Sequence, residues 1–374
     1  MRQHRLWFAK ESCSHRSTAY PGCWARGERP LVLRRITADA MQIVTGDLMN
    51  IVDIHAHPLL DRLYGAQDSR ERWSVLPSLF GNCLSFDALT RGRVGVVVSS
   101  IYPFWCLTRR SAYLDRCHDI IKLVESHLAE HHDRATLVTE SDGIERALAQ
   151  GKIAFIHAVE GGHVLEGRLE NLELLYHWGV QSLTLAHFVN NDIATSAFDP
   201  RRKLAGRSGL TPLGRKVVTK MNTLGMVIDL AHSSERAFWQ VLELTQHPVA
   251  VSHTGVRHFV PSEICLSDGQ IRAIAQNGGL VGIILSSLWL RRFHLVADIG
   301  DLVENILYVC NLVGVDHVGI GSDFNGTPPI RGVGTAGDLP RIWDRLSEVG
   351  LSDHDVAKIM GGNFLRLFRQ VVGA

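Results

Sequence analysis

From residue 51 onward the chain alternates short, nearly unbroken apolar runs with longer stretches in which apolar residues recur every three or four positions. The runs are residues 51–57, 94–102, 153–160, 180–187, 226–232, 249–253, 280–286 and 317–323. A strand covered on both faces has no polar side to show, so continuous apolar runs predict a parallel sheet walled by helices. The stretches between them predict helices over 111–131, 143–149, 169–178, 213–224, 234–244, 267–276, 301–312 and 339–349. Ser234 and Ser267 stand where a helix start needs a side-chain acceptor, and Gly179, Gly225, Gly314 and Gly350 stand just past helix ends. Eight such units predict an α/β chain closed as a (β/α)8 TIM barrel.

Two segments depart from this rhythm. The first crossover, residues 58–93, is long for its place, contains Trp73, Pro77 and Asp87, and is expected to decorate the mouth of the barrel. The tail, residues 352–368, reads as two short helices interrupted at Gly361, Gly362 and Asn363 and is expected to pack back on the barrel as a helical extension. Residues 1–45 form a third exception: they are Arg-rich, carry Trp7 and Trp24 without periodic apolar partners, and lack the apolar core of a secretory signal. They are expected to be a disordered extension, with Met41 or Met49 a plausible later start, leaving residues 46–374 as one domain.

Composition narrows the function classes. The formal net charge is +1, with no long block of one sign, which argues against nucleic acid or an anionic membrane as partner. No apolar run reaches the roughly 18 residues that span a bilayer. The seven cysteines are scattered and odd in number, and no two are spaced CxxC. That pattern points to reduced thiols and a cytoplasmic location. Nineteen histidines are the unusual feature, and their positions carry the chemistry.

The run at 51–57, IVDIHAH, ends in His55 and His57, spaced so that both imidazoles leave one side of a strand. In a TIM barrel the chemistry gathers at the carboxyl ends of the strands. Only the second and seventh runs do not finish in His, Glu or Asp; the others end in His55 and His57, Glu160, His187, His232, His253 and Asp323. Imidazoles and carboxylates together suit divalent zinc, and Glu160 can bridge two ions where a neutral imidazole cannot. On this reading His55, His57, Glu160, His232, His253 and Asp323 are the candidate metal ligands. Asp323 would also take the proton of an activated water, and His187 is the spare group for acid catalysis. His157 falls on the opposite face of its strand from Glu160 and is expected to be packing beneath a helix.

At these residues the chain resembles the membrane (renal) dipeptidase family, peptidase family M19, a branch of the amidohydrolase-type metallohydrolases. The resemblance covers residues 51–368. It is carried by Asp53-Ile54-His55, Glu160-Gly161-Gly162, LTLAHFVNN at 183–191, Ile228-Asp229-Leu230-Ala231-His232, Val251-Ser252-His253-Thr254-Gly255, Gly319-Ile320-Gly321-Ser322-Asp323-Phe324 and GGNFLR at 361–366. It implies two zinc ions, one held by His55 and the residue at 57, the other by His232 and His253, with Glu160 bridging. It further implies that Asp323 acts on the nucleophilic water, that His187 contacts substrate and tetrahedral intermediate, and that the substrate is a dipeptide, often with a D-residue second. Family members often pair as homodimers.

Two positions depart from the family pattern. His57 stands where the family has Asp, leaving the first metal site about one charge more positive. Ile264 stands where the family has the arginine that grips the substrate carboxylate, removing a charge-assisted anchor. Arg257 and His258, earlier in the same loop, are candidates to replace it. Besides a zinc dipeptidase, the sequence therefore admits an amidohydrolase for a non-peptide amide, ester or lactone, or a catalytically weakened binding protein.

Overall fold

The computed structural model describes residues 50–58, 83–103, 112–203, 208–292 and 296–373. The expected N-terminal extension and most of the first crossover lie outside the described residues. The strands are β1 (Ile51–Ala56), β2 (Val94–Ile101), β3 (Ala135–Leu137), β4 (Ile153–Glu160), β5 (Val180–Thr184), β6 (Val227–Asp229), β7 (Ala250–Thr254), β8 (Leu280–Ile283) and β9 (Val318–Ile320). All pairs are parallel, in the order β1-β2-β4-β5-β6-β7-β8-β9. This is the eight-stranded barrel the sequence predicts. The ring is drawn shut at its carboxyl end by Asp323 N–H donating to His55 O (2.9 Å) and His57 N–H donating to Phe324 O (3.1 Å).

A ninth strand was not expected. β3 pairs with β4 over Ile153 to Phe155, and β5 takes up the pairing from His157 onward. At three residues it is too short to show a period of its own.

The helices are α1 (Phe86–Arg91), α2 (Tyr113–Glu130), α3 (Ser141–Ala149), α4 (Glu170–His177), α5 (Pro212–Leu224), α6 (Glu235–Leu242), α7 (Asp268–Gln276), α8 (Ser287–Leu290), α9 (Ile299–Val313), α10 (Pro340–Glu348), α11 (Asp353–Ala357) and α12 (Asn363–Val372); α2 to α7, α9 and α10 match the predicted stretches to within two residues, α11 and α12 form the helical tail, and the short α1 and α8 were not predicted. Ser234 caps α6 by accepting from Ala237 N–H, and Ser267 forms a capping box with Gln270 on α7. Gly225 ends α5 at φ 69°, the left-handed region in which a Cβ would be strained. None of the described helices is long and apolar enough to cross a membrane, and there is no disulfide among the described residues.

Two apolar layers hold the barrel. The larger lies between strands and helices. The smaller fills the barrel itself with Val52, Ile54, Val96, Val98, Ala154, Ile156 and their neighbours, and α12 closes it with Phe364, Leu367, Phe368 and Val371. The tail thus does more than pack on the outside: two of its phenylalanines, stacked at 5.7 Å, are part of the barrel core. Asn363 pins it there by donating to Val315 O (2.7 Å) and Val318 O (2.8 Å).

Above that plug the strands approach too closely for side chains. A Cβ at Gly282 or at Gly321 would stand 1.9 Å from the carbonyl oxygen of Ser252, whose side chain supports the site described next. Gly282→Ala is therefore expected to cost about 1–3 kcal/mol or more, because backbone has to move to make room; urea denaturation of the two proteins checks it, and an unchanged midpoint would show that β7 and β8 are looser than this.

Candidate metal centre

Glu160 is the last residue of β4 and shares its face with Ala154, Ile156 and Ala158, so alternation alone aims it into the barrel at the carboxyl rim. There its carboxylate, 3% exposed, meets five imidazoles. Oε1 lies 3.0 Å from His232 Nε2, 3.5 Å from His253 Nε2, and 3.6 Å from both His55 Nε2 and His187 Nε2. Oε2 lies 3.6 Å from His57 Nε2. Asp323 completes the group, with Oδ1 3.1 Å from His57 Nε2 and 3.9 Å from His55 Nε2. The seven side chains singled out at the run ends therefore converge.

Their positions on the chain differ from the expectation in one respect. Glu160 and His253 sit on strands, but β5, β6 and β9 stop at Thr184, Asp229 and Ile320, three residues short of His187, His232 and Asp323. His232 and Asp323 have left-handed backbones, φ 60° and 56°. Non-glycine residues pay for this conformation, and it persists only where the surroundings over-determine it. Here Ala197 N–H donates to His232 O (2.8 Å), while Gly326 and Thr327 N–H donate to Asp323 O (3.0 and 3.1 Å).

The hydrogen bonds behind the rings decide which nitrogen faces the centre. Ser100 O can only accept, so His57 Nδ1 (3.1 Å) must carry a proton, and whenever the ring is neutral Nε2 is the nitrogen with the lone pair. Ser252 Oγ gives its one proton to Asp229 Oδ2 (2.7 Å) and is left to accept from His253 Nδ1 (2.9 Å) and His55 Nδ1 (3.2 Å). One hydroxyl thereby sets two imidazoles as Nε2 lone-pair donors toward Glu160. Asp229 is itself satisfied by Thr184 Oγ1 (2.6 Å) and by the N–H groups of Ala231 (3.0 Å) and Ser252 (2.9 Å). With those contacts made, it is a support rather than a ligand. Asp53 plays a similar part under β1, accepting from Ser322 Oγ (2.5 Å) and N–H (2.9 Å). Burial pushes its carboxyl up to about 7.

Burial lowers the basicity of His55 to about 3 and holds His187 and His253 well below the usual imidazole range. Burial alone would raise Glu160, but the imidazoles facing it, His187 first, keep it well below the usual carboxylate range. His57 is the exception: burial opposes its protonation, yet the hydrogen bond to Asp323 and the two carboxylates carry it upward. Neutral imidazoles around an ionised carboxylate are a metal-ligand set. The buried contacts fit a cation in the same way. His55 Nε2 has no hydrogen-bond partner, and the Nε2 atoms of His232 and His253 face each other at 2.8 Å. A shared positive ion satisfies such lone pairs, and no proton arrangement satisfies them all.

The remaining sequence candidates fall outside this cluster. His157 is fully buried on the opposite face of β4, and burial lowers it to about 4. The guanidinium of Arg257 is held by Cys265 O (3.1 Å), Glu235 (3.3 Å) and Gln270 (3.3 Å). His258 is stacked on Tyr308 at 4.7 Å. Both therefore already have partners in this structure. Sequence reasoning passed over Ser252, Asp229 and Asp53 as actors. Their signal was present, since each lies one or two residues from a ligand or a turn before one, but nothing in spacing says that one serine hydroxyl spans two histidines.

The sequence profile of the membrane dipeptidase family, peptidase family M19, matches residues 49–373. Dipeptidase tcpJ of Claviceps purpurea is 31% identical over 310 residues, covering 80% of this chain and 72% of that one. Dipeptidase 3 of Mus musculus is 31% identical over 289 residues, and the matched stretch spans 57% of its length. Among solved structures, the probable dipeptidase PvdM from Pseudomonas aeruginosa superposes with a TM-score of 0.77 at 23% identity, covering 90% of this chain and all of that one. A Rhodobacter sphaeroides metallopeptidase, liganded with a phosphinate mimic of the dipeptide L-Ala-D-Ala, superposes with a TM-score of 0.77 at 21% identity over 87% of this chain; at these identities the two structures bear on the fold.

Ser252→Ala removes the acceptor shared by His55 and His253. It is expected to weaken metal retention about 10- to 100-fold, the usual cost of losing a support behind a metal ligand. Competition with a fluorescent chelator measures it, and wild-type retention would show that the two rings are held without Ser252.

Proposed function

The chain belongs to the membrane dipeptidase family of metallopeptidases, and on that premise we propose that it hydrolyses the peptide bond of dipeptide-like substrates with two zinc ions bridged by Glu160. The observation that carries the reading is the single buried carboxylate within 3.0 to 3.6 Å of five imidazole Nε2 atoms. His55 and His57 would hold one ion and His232 and His253 the other, with Asp323 Oδ1 3.1 Å from His57 Nε2 and 3.9 Å from His55 Nε2 on the side of the first. When bound, a pair of divalent ions supplies an acidified water and polarises a carbonyl.

The side chains divide the remaining work. Asp323, with its side chain 15% exposed, reaches both the centre and the open rim, as a base must in order to take a proton from water and pass it on. His187, which the family resemblance sets against the tetrahedral intermediate, has Nε2 3.6 Å from Glu160 Oε1 and would donate a hydrogen bond to the oxygen on which negative charge develops. The proton taken by Asp323 is then the one that reaches the amine. Tyr102, its ring 4.6 Å from that of His187, packs against the imidazole.

Elemental analysis is expected to find about two zinc ions per chain, with His232→Ala and His253→Ala each losing one; unchanged metal in both variants would remove the assignment. Asp323→Asn is expected to keep its metal while hydrolysis of L-Ala-D-Ala-type dipeptides falls at least about a hundredfold, the scale of losing a general base. Hydrolysis within a few-fold of wild type would take that role from Asp323.

A further inference from the structure

Beside His232 the rim of the barrel is built of rings. The centroids of Phe198, Phe188 and Trp289 lie 5.4, 6.0 and 6.0 Å from that of His232. Phe198 stands edge-on to Phe188 at 5.0 Å and to Trp289 at 5.5 Å. The same surface runs on to Ile264 and Val260, which pack with Phe198 against Cys265, Ile284 and Trp289. The loop bearing Ile264 is tied to the end of β7 by Arg257 N–H to Leu266 O (2.8 Å) and Leu266 N–H to Gly255 O (3.1 Å), so its distance from His253 is fixed.

This wall is apolar and partly open. Phe188 is 50% exposed, and Phe198, Val260 and Ile264 are half-buried. The guanidinium groups that flank it in the chain are already held. Arg201 forks onto Asp199 (2.6 to 3.0 Å), Arg257 is bound as described above, and Arg291 pairs with Asp301. Freeing Arg201 for a ligand would take the forked guanidinium from the carboxylate of Asp199, which is 3% exposed. Apolar surface next to a desolvated ionic centre gains free energy only when something apolar covers it.

We propose that this wall, from Phe188 through Phe198 and Trp289 to Ile264, is a substrate subsite that selects a bulky uncharged apolar group on the half of the substrate lying over His232. The inference rests on the peptidase reading above and names its substrate class: dipeptides with a large aliphatic or aromatic residue on one side of the scissile bond. Discrimination arises because a charged side chain placed here loses its water and finds no free counter-charge among the described residues.

The test uses the full-length, metal-loaded protein and dipeptides in which one residue is alanine and the other is Phe, Leu, Ala, Asp or Lys, in both orders. At one of the two positions Phe and Leu are expected to exceed Asp and Lys by about tenfold or more in kcat/KM, mainly through KM. Phe188→Ala, an exposed position, is expected to shrink that ratio at least about threefold with metal content unchanged, and Ile264→Arg to raise the rate on the Asp peptide. Should Ile264→Arg fail to fold, Phe188→Ala and Phe198→Ala decide the matter. Equal rates across the panel, or an undiminished ratio in the alanine variants, would overturn the subsite while leaving the peptidase reading intact. No hydrolysis of any peptide by metal-loaded protein would overturn the peptidase reading and the subsite together.

Discussion

The structure depends on one electrostatic constraint: a carboxylate buried to 3% exposure at the rim of a closed barrel, faced by imidazoles of which His55, His187 and His253 are held neutral by burial. An isolated charge in such a place is costly, and neutral rings whose lone pairs point at it do not relieve the cost. Only cations do. The arrangement is therefore intelligible as a metal centre and hard to account for as a set of structural hydrogen bonds. The rest of the rim serves to hold it.

That holding is done from behind. Ser252, Asp229, Ser100, Asp53 and Ser322 fix tautomers and backbone, and each is buried. Ser252 is the point where supports meet: its hydroxyl faces both His55 of β1 and His253 of β7, and its carbonyl is the atom against which Gly282 and Gly321 pack. The left-handed backbones of His232 and Asp323 belong to the same economy, since turning the chain sharply past a strand end aims a side chain inward that a continuing strand would carry away. Rigidity of this kind is what a centre needs if its ligands are to be in place before the ion arrives.

Around the centre the character changes abruptly. The rim offers the polar groups Asp323 and His187 and, running on from His187, the rings of Phe188, Phe198 and Trp289. Ile264 joins these rings, and Arg257 and His258 are drawn off to Glu235, Gln270 and Tyr308. On the proposed reading the two departures fall in different places, His57 at the centre and Ile264 at the rim. This is the division a TIM barrel permits, because strands carry the centre and loops carry the contacts.

The barrel and the identity of the seven converging side chains were legible in the sequence. Strand burial on both faces leaves an apolar run, and the residue that ends the run is the one that reaches the rim; these are local properties of a chain. The same locality explains what was missed. β3 is too short to show a period, and the end of β5, β6 and β9 three residues before His187, His232 and Asp323 follows from turns that the apolar pattern does not register. That Ser252 serves two histidines at once, that Asp229 supports rather than ligates, that two phenylalanines of the tail fill the barrel, and that Arg257 is spent elsewhere were decided by the tertiary structure alone. Each depends on which of several possible partners lies within about 3 Å, and a distance between residues tens or hundreds of positions apart is set by closure of the barrel rather than by the residues on either side.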